Sequence, residues 1–136
     1  MKYGRIFAKV LLGLFILDIV RNWIQWTFFP EVAMAFFQVS AEGLFGLNML
    51  KTDMTAGVAV SGVFALLYFI RGKAWLAPAI VVVSVFLVTR LINMAMDGAT
   101  GMLWAGIGYE FVFFATALFL LKTEPEETSS SQISMG

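Results

Sequence analysis

The sequence predicts an all-α membrane protein: a four-transmembrane-helix antiparallel bundle with a short outer interfacial helix between helices 1 and 2. Three observations predict it. Of 136 residues, 60% are hydrophobic and 13% charged, with a mean hydropathy of +0.88; soluble domains are nearer half apolar and about a quarter charged. The apolar residues fall in long runs separated by short polar turns. The basic residues gather on alternate turns. A greasy soluble helical protein is the alternative, but so short a chain has too little interior to hide this much apolar surface.

The first run, "MKYGRIFAKVLLGLFILDIVRNWIQW", opens with Lys2, Arg5 and Lys9. Its start is like that of a signal peptide, and "AMA" at 33–35 is like a cleavage site. Asp18 and Arg21 interrupt, however, and the site lies too far beyond the apolar run. An uncleaved first span over about 5–27 is expected, ended by Pro30. "EVAMAFFQVSAEGLFGLN" mixes Glu31, Gln38 and Glu42 with phenylalanines and is too short and polar to span. A short interfacial helix and a turn fit it. The second span, about 49–70, holds the uncharged run "MTAGVAVSGVFALLYFI", and "RGK" makes a tight loop. The third runs over about 74–96, with Pro78 in its first turn, where proline does least harm. "DGAT" turns the chain into a fourth span, about 101–121, whose single charge is Glu110. Residues 1–122 thus form the membrane domain. Residues 123–136, acidic and serine-rich, read as a disordered cytoplasmic tail that adds nothing to the fold.

With four spans, Lys2, Arg5, Lys9, Arg71, Lys73 and Lys122 fall on one side. The opposite loops carry Glu31, Glu42, Asp53 and Asp97, with Lys51 as the exception. The positive-inside rule then places both termini in the cytoplasm. Trp23, Trp26, Phe28 and Phe29 would form the outer aromatic belt, and Tyr3, Tyr68 and Trp75 the inner one. Small residues four apart, Gly57 with Ser61 and Gly101 with Ala105, suggest close helix approach.

Several chemistries are excluded by residue type. The chain has no cysteine and no histidine. That removes thiol redox chemistry, thiolate metal sites and the commonest general base and haem ligand. No cofactor and no metal site are implied. The net charge is zero, which argues against nucleic acid as a partner.

The polar residues inside the spans are the candidate site. Asp18, Arg21, Asn22 and Gln25 share one face of helix 1. Asn48, Lys51, Thr52 and Thr55 repeat that spacing on helix 2, and Arg90, Asn93 and Asp97 on helix 3. Glu110 lies deepest, near the midplane of helix 4. All four helices therefore carry polar groups in the outer half, while the inner half is almost purely apolar. Arg21, Lys51 and Arg90 are matched in number by Asp18, Asp97 and Glu110. A charge near the centre of a span costs at least about 2.5–3.5 kcal/mol, so these groups are expected to face inward and pair. Arg90 is expected to pair with Glu110, with Asp18 as the competing partner. Two interpretations stand side by side: an ion-pair network that fixes helix register, or a polar pocket open to the outer side.

"N-x-x-K" at Asn48–Lys51, "TRLINMAMDGATG" and the late glutamate of "GYEFVFF" together resemble the motifs of small bacterial four-helix membrane proteins of unknown function, the DoxX-like superfamily. The likeness covers about residues 5–121. A looser likeness of topology is to the small membrane scaffolds of the sterol pathway. The resemblance implies a multi-pass protein of the bacterial inner membrane, with Asn48, Lys51, Arg90, Asp97, Gly98 and Glu110 as signature positions. Lys51 stands where that pattern has arginine, and Thr89 where it has glycine. Lysine keeps the charge but lacks the bidentate fork.

Three functional readings follow, in order of preference. The first is a non-catalytic accessory or scaffold subunit, with membrane lipids, another membrane protein or a second copy as partners. The second is binding or transport of a small amphipathic molecule such as a lipid, quinone or sterol-like compound. The third is an enzyme that uses Glu110 or Asp18 as acid or base beside Arg90.

Overall fold

The computed structural model describes residues 2–125. These are helical nearly throughout, with no strand among them. Helix α1 spans Lys2–Phe28, α2 Pro30–Phe37, α3 Gly43–Arg71, α4 Leu76–Asp97 and α5 Gly101–Thr123; one 3-10 turn, Lys73–Trp75, joins α3 to α4. Three stretches, Gly46–Arg71, Lys73–Asp97 and Gly101–Thr123, are long and apolar enough to cross a membrane. α1, expected as a first span, is 27 residues long. It carries Lys2, Arg5, Lys9, Asp18 and Arg21 and is not among the three.

Local chemistry sets the helix ends. Pro30 is the first residue of α2, a position where its missing N–H costs nothing and its fixed φ suits the helix. Gln38 ends α2 in the left-handed conformation, φ 55°. α2 folds back on the end of α1: the Trp26 ring stacks on Phe37 at 5.6 Å, and Trp26 and Ala33 are fully buried. The other side of α2 presents Val32 and Phe36 outward. Gly72 and Gly98 close α3 and α4 with φ of 92° and 96°, a region that side chains with a Cβ avoid. Thr100 caps α5, its hydroxyl accepting from the Leu103 N–H at 3.4 Å. α3 begins at Gly43, well before the apolar run at 49. Polarity changes at that point, but the helix does not.

Each of the four long helices packs on two others: α1 on α3 and α5, and α4 on α3 and α5. Leu12, Phe15 and Ile19 of α1 meet Ala65 and Tyr68 of α3, Val83 of α4 and Phe113 of α5 in one buried cluster. The Phe15 ring stands edge-on to Tyr109 at 4.8 Å and to Phe113 at 5.4 Å.

Of the two pairs that the four-residue spacing suggested, Gly57 with Ser61 lies at a close approach and Gly101 with Ala105 does not, while Gly62 adds a contact that the spacing did not pick out. A Cβ on Gly62 would lie 2.9 Å from Ile19 Cγ2, and one on Gly57 2.7 Å from Phe86 Cζ. Ser61 is buried beside them. Gly101 meets nothing within 4 Å and Ala105 is exposed. Their spacing is right, but that face of α5 turns away from its neighbours.

At the chain-terminal end, α5 continues through Thr123, and Glu124 pairs with Lys9 at 2.6 Å. The expected tail therefore begins with two residues that belong to the packed structure. Pro125 follows them and is exposed, and residues 126–136 lie outside the described residues.

These contacts predict opposite outcomes for two glycines. Gly62→Val drives a branched side chain into Ile19 and should lower stability by about 1–3 kcal/mol. Gly13→Ala, at a position with open space, should not lower it. Thermal melts of the detergent-solubilised protein compare them, and equal effects would refute the close α1–α3 contact.

Candidate functional site

The α4–α5 hairpin builds the strongest polar contact. Counted from Gly98, Arg90 is eight residues back and Glu110 twelve forward. At 1.5 Å rise per residue this leaves an axial offset of about 6 Å, within reach of an arginine. Arg90 Nη2 donates to Glu110 Oε1 at 2.6 Å, and Nε lies 3.2 Å from both carboxylate oxygens. A planar fork on a carboxylate adds geometric specificity to charge. The Glu110 side chain is 14% exposed and that of Arg90 33%. The guanidinium lies across Gly106: a Cβ there would sit 3.2 Å from Arg90 Cζ and 3.3 Å from Nη1. Gly106 is one helical turn before Glu110, so it leaves room for the group that Glu110 binds. Sequence reasoning missed Gly106; its position four residues before a membrane glutamate was the available signal.

Asp18 does not reach Arg90. It pairs within α1 with Arg21, at 2.8 Å and i,i+3 spacing. The Asp18 carboxylate is an electrostatic neighbour of Tyr109 on α5. The Tyr109 hydroxyl is buried and forms no hydrogen bond of regular geometry. Lys51 takes no carboxylate. Its Nζ donates to the Thr27 carbonyl at 3.0 Å, placing an ammonium on the C-terminal end of α1, where orphan carbonyls and the helix dipole favour a cation.

The other predicted members do not join these pairs. Asn48 is exposed and receives only a long contact, 3.5 Å, from Thr52 Oγ1. Asn22 is half-buried on α1 and hydrogen-bonds to neither pair. Asn93 and Asp97 are exposed. The buried residue on that turn is Met94. Asn93 points about 100° away from it, and Asp97 is the last residue of α4, past the level of helix packing. The expectation that the charges turn inward therefore fails for Asp97 and for Arg21, whose side chain is 70% exposed, and the three asparagines stay outside the pairs. α4 sits in its neighbours by an apolar seam that includes Val83 and Met94, and only Arg90 of the polar stripe lies near that seam.

A second polar group lies at the chain-terminal end, in the half read from sequence as almost purely apolar. Besides pairing with Glu124, Lys9 holds its Nζ 5.8 Å from the centre of the Tyr68 ring. Lys73 Nζ donates to the Glu124 carbonyl at 3.3 Å, and Arg5 Nη1 to that of Thr123 at 3.5 Å. These contacts tie the ends of α1 and α5 to the α3–α4 turn.

Two surface grooves are apolar, and no member of the predicted polar set lines either. One, about 210 Å³, runs between α1 and α3 beside Ile19, Trp23 and Gly62. The other, about 330 Å³, runs between α1 and α5. The chain matches no family model, no curated protein and no solved structure. The DoxX-like resemblance gains no support from them.

The Arg90–Glu110 contact has a direct test. Arg90→Ala leaves Glu110 without its counter-charge and should destabilise by up to about 3–5 kcal/mol, the range for breaking a buried pair. The double change Arg90→Leu with Glu110→Leu should recover much of that loss, because it removes both charges. Chemical denaturation in detergent measures both. A double variant no more stable than Arg90→Ala would exclude a structural role for the pair.

Proposed function

We propose that this protein is a four-span integral membrane protein of the bacterial inner membrane, an antiparallel bundle with both termini in the cytoplasm. It serves as a non-catalytic accessory or scaffold subunit. α1 is the fourth span. In support, α1 packs between α3 and α5 and also presents Phe7, Val10, Leu14 and Leu17 outward. A helix apolar on its inner and outer faces alike suits lipid. The outward side chains of α4 and α5, Val81, Val85, Val88 and Phe111 among them, have the same character.

The observation that carries the reading is the commitment of the charges to helix–helix contacts. Arg90 and Glu110 join α4 to α5, Lys51 joins α3 to α1, and Lys9 with Glu124 joins the ends of α1 and α5. Groups held in this way set helix rotation and register. A binding pocket would leave some of them directed at a cavity, and neither apolar groove is lined by one.

Two experiments test the proposal. Reporter fusions after Gly98 and after Lys122 should report opposite sides of the membrane; agreement between them overturns the four-span topology. Extraction of the tagged chain from native membranes into lipid discs should recover a second membrane polypeptide in stoichiometric amount. The double Leu variant at 90 and 110 should keep it. Recovery of the chain alone, with an extracted amphipathic small molecule, would replace the scaffold by the ligand-binding reading.

A further inference from the structure

We propose that the groove between α1 and α5 is a binding site for an anionic glycerophospholipid of the cytoplasmic leaflet. An acyl chain would lie in the groove and the phosphate would sit at its basic mouth. The proposal rests on the four-span arrangement, which the reporter fusions test separately.

The groove has a volume of about 330 Å³, at the lower end of the roughly 300–1,000 Å³ typical of small-molecule sites. That is room for part of a slender chain. Gly4, Phe7 and Leu11 of α1 face Ala115, Thr116 and Phe119 of α5 across it. The hydroxyl of Thr116, its one side-chain polar group, donates to the Val112 carbonyl at 2.7 Å, so the wall is apolar in effect. Gly4 contributes to the space: a Cβ there would already touch the Phe119 ring at 3.4 Å.

Charge selects the occupant. Lys122 follows Phe119 by three residues, lies in the last turn of α5 and is exposed. Residues three apart share a helix face, so its ammonium continues the line of the groove. Arg5 follows Gly4 and bridges the same seam, its Nη1 3.5 Å from the Thr123 carbonyl. Exposed Lys2 lies at the same end. The carboxylate of Glu124 is held by Lys9 at 2.6 Å, so it is engaged by another cation. Cations at the end of an apolar slot, on the side where positive-inside places the anionic leaflet, match the chemistry of an acidic lipid. The α1–α3 groove lacks that complement. The basic residue nearest to it in sequence, Arg21, is paired with Asp18.

Native mass spectrometry of the full chain tests the site, with phosphatidylglycerol and phosphatidylcholine of identical acyl chains as probes. The unaltered protein should retain phosphatidylglycerol in preference. Lys122→Gln should weaken phosphatidylglycerol about five-fold, the equivalent of about 1 kcal/mol for one surface cation, and leave phosphatidylcholine unchanged. Ala115→Trp, which fills the groove from its exposed wall, should weaken both lipids. Arg71→Gln, an exposed cation at the same end on α3, should affect neither. Circular-dichroism melts confirm that each variant is folded. Equal losses from Lys122→Gln and Arg71→Gln would reduce the effect to diffuse charge. Undiminished binding by Ala115→Trp would eliminate the groove, and no preference in the unaltered protein would eliminate the acidic lipid. Any of these overturns the proposal.

Discussion

The bidentate contact of Arg90 with Glu110 is the interaction on which the α4–α5 half of the molecule depends. A lone charge deep in hydrocarbon costs at least about 2.5–3.5 kcal/mol, and here the two charges cancel across one interface. Directional donors on a planar guanidinium admit few relative rotations of the helices. The pair thereby sets how α4 meets α5, and the fit reaches down to Gly106, whose missing side chain makes room for the guanidinium. The turn at Gly98–Thr100 places the partners within reach. The ion pair then selects one arrangement among those the turn allows.

The same constraint is met by other means elsewhere. Lys51 finds a helix end instead of a carboxylate, and the four carbonyls left unbonded at the C-terminus of any α-helix make that a natural seat for an ammonium. Asp18 and Arg21 neutralise each other within one helix, leaving Arg21 outward at 70% side-chain exposure. Lys9 and Glu124 close the chain-terminal end. Three of these four solutions join different parts of the molecule, and the Asp18–Arg21 pair stays within α1.

Between these polar ties the helices are held by fit. In lipid the hydrophobic effect does little to drive helices together, and packing of small residues against larger ones takes its place. Ile19 against Gly62 and Phe86 against Gly57 show this directly. The result is a division of labour between inter-helix contacts that hold Arg90, Glu110 and Lys51 and an outer surface of exposed apolar side chains and apolar grooves. α2, with Ala33 buried and Val32 and Phe36 outward, adds an apolar ridge to that surface.

The sequence by itself determined the helical class, the apolar stretches, the short helix after Pro30 and the turns at Gly72 and Gly98, because composition, periodicity and backbone geometry are local properties. It also put Glu110 first as the partner of Arg90, since a short turn makes their separation a matter of counting, but it left Asp18 open until the packing of α1 decided against it. Asn93 and Asp97 were misplaced because a polar stripe records spacing along a helix, whereas the rotation of that helix is decided by its neighbours' apolar seams. Lys51 on the Thr27 carbonyl was invisible because backbone ends carry no sequence signature as acceptors. Glu124 on Lys9 was missed because the pair joins the two ends of the described chain, more than a hundred residues apart. Gly106 and Gly62 were indistinguishable from Gly101 until the helices were in place. A glycine is a contact only when something fills the space beside it, and what fills that space is a property of the whole molecule.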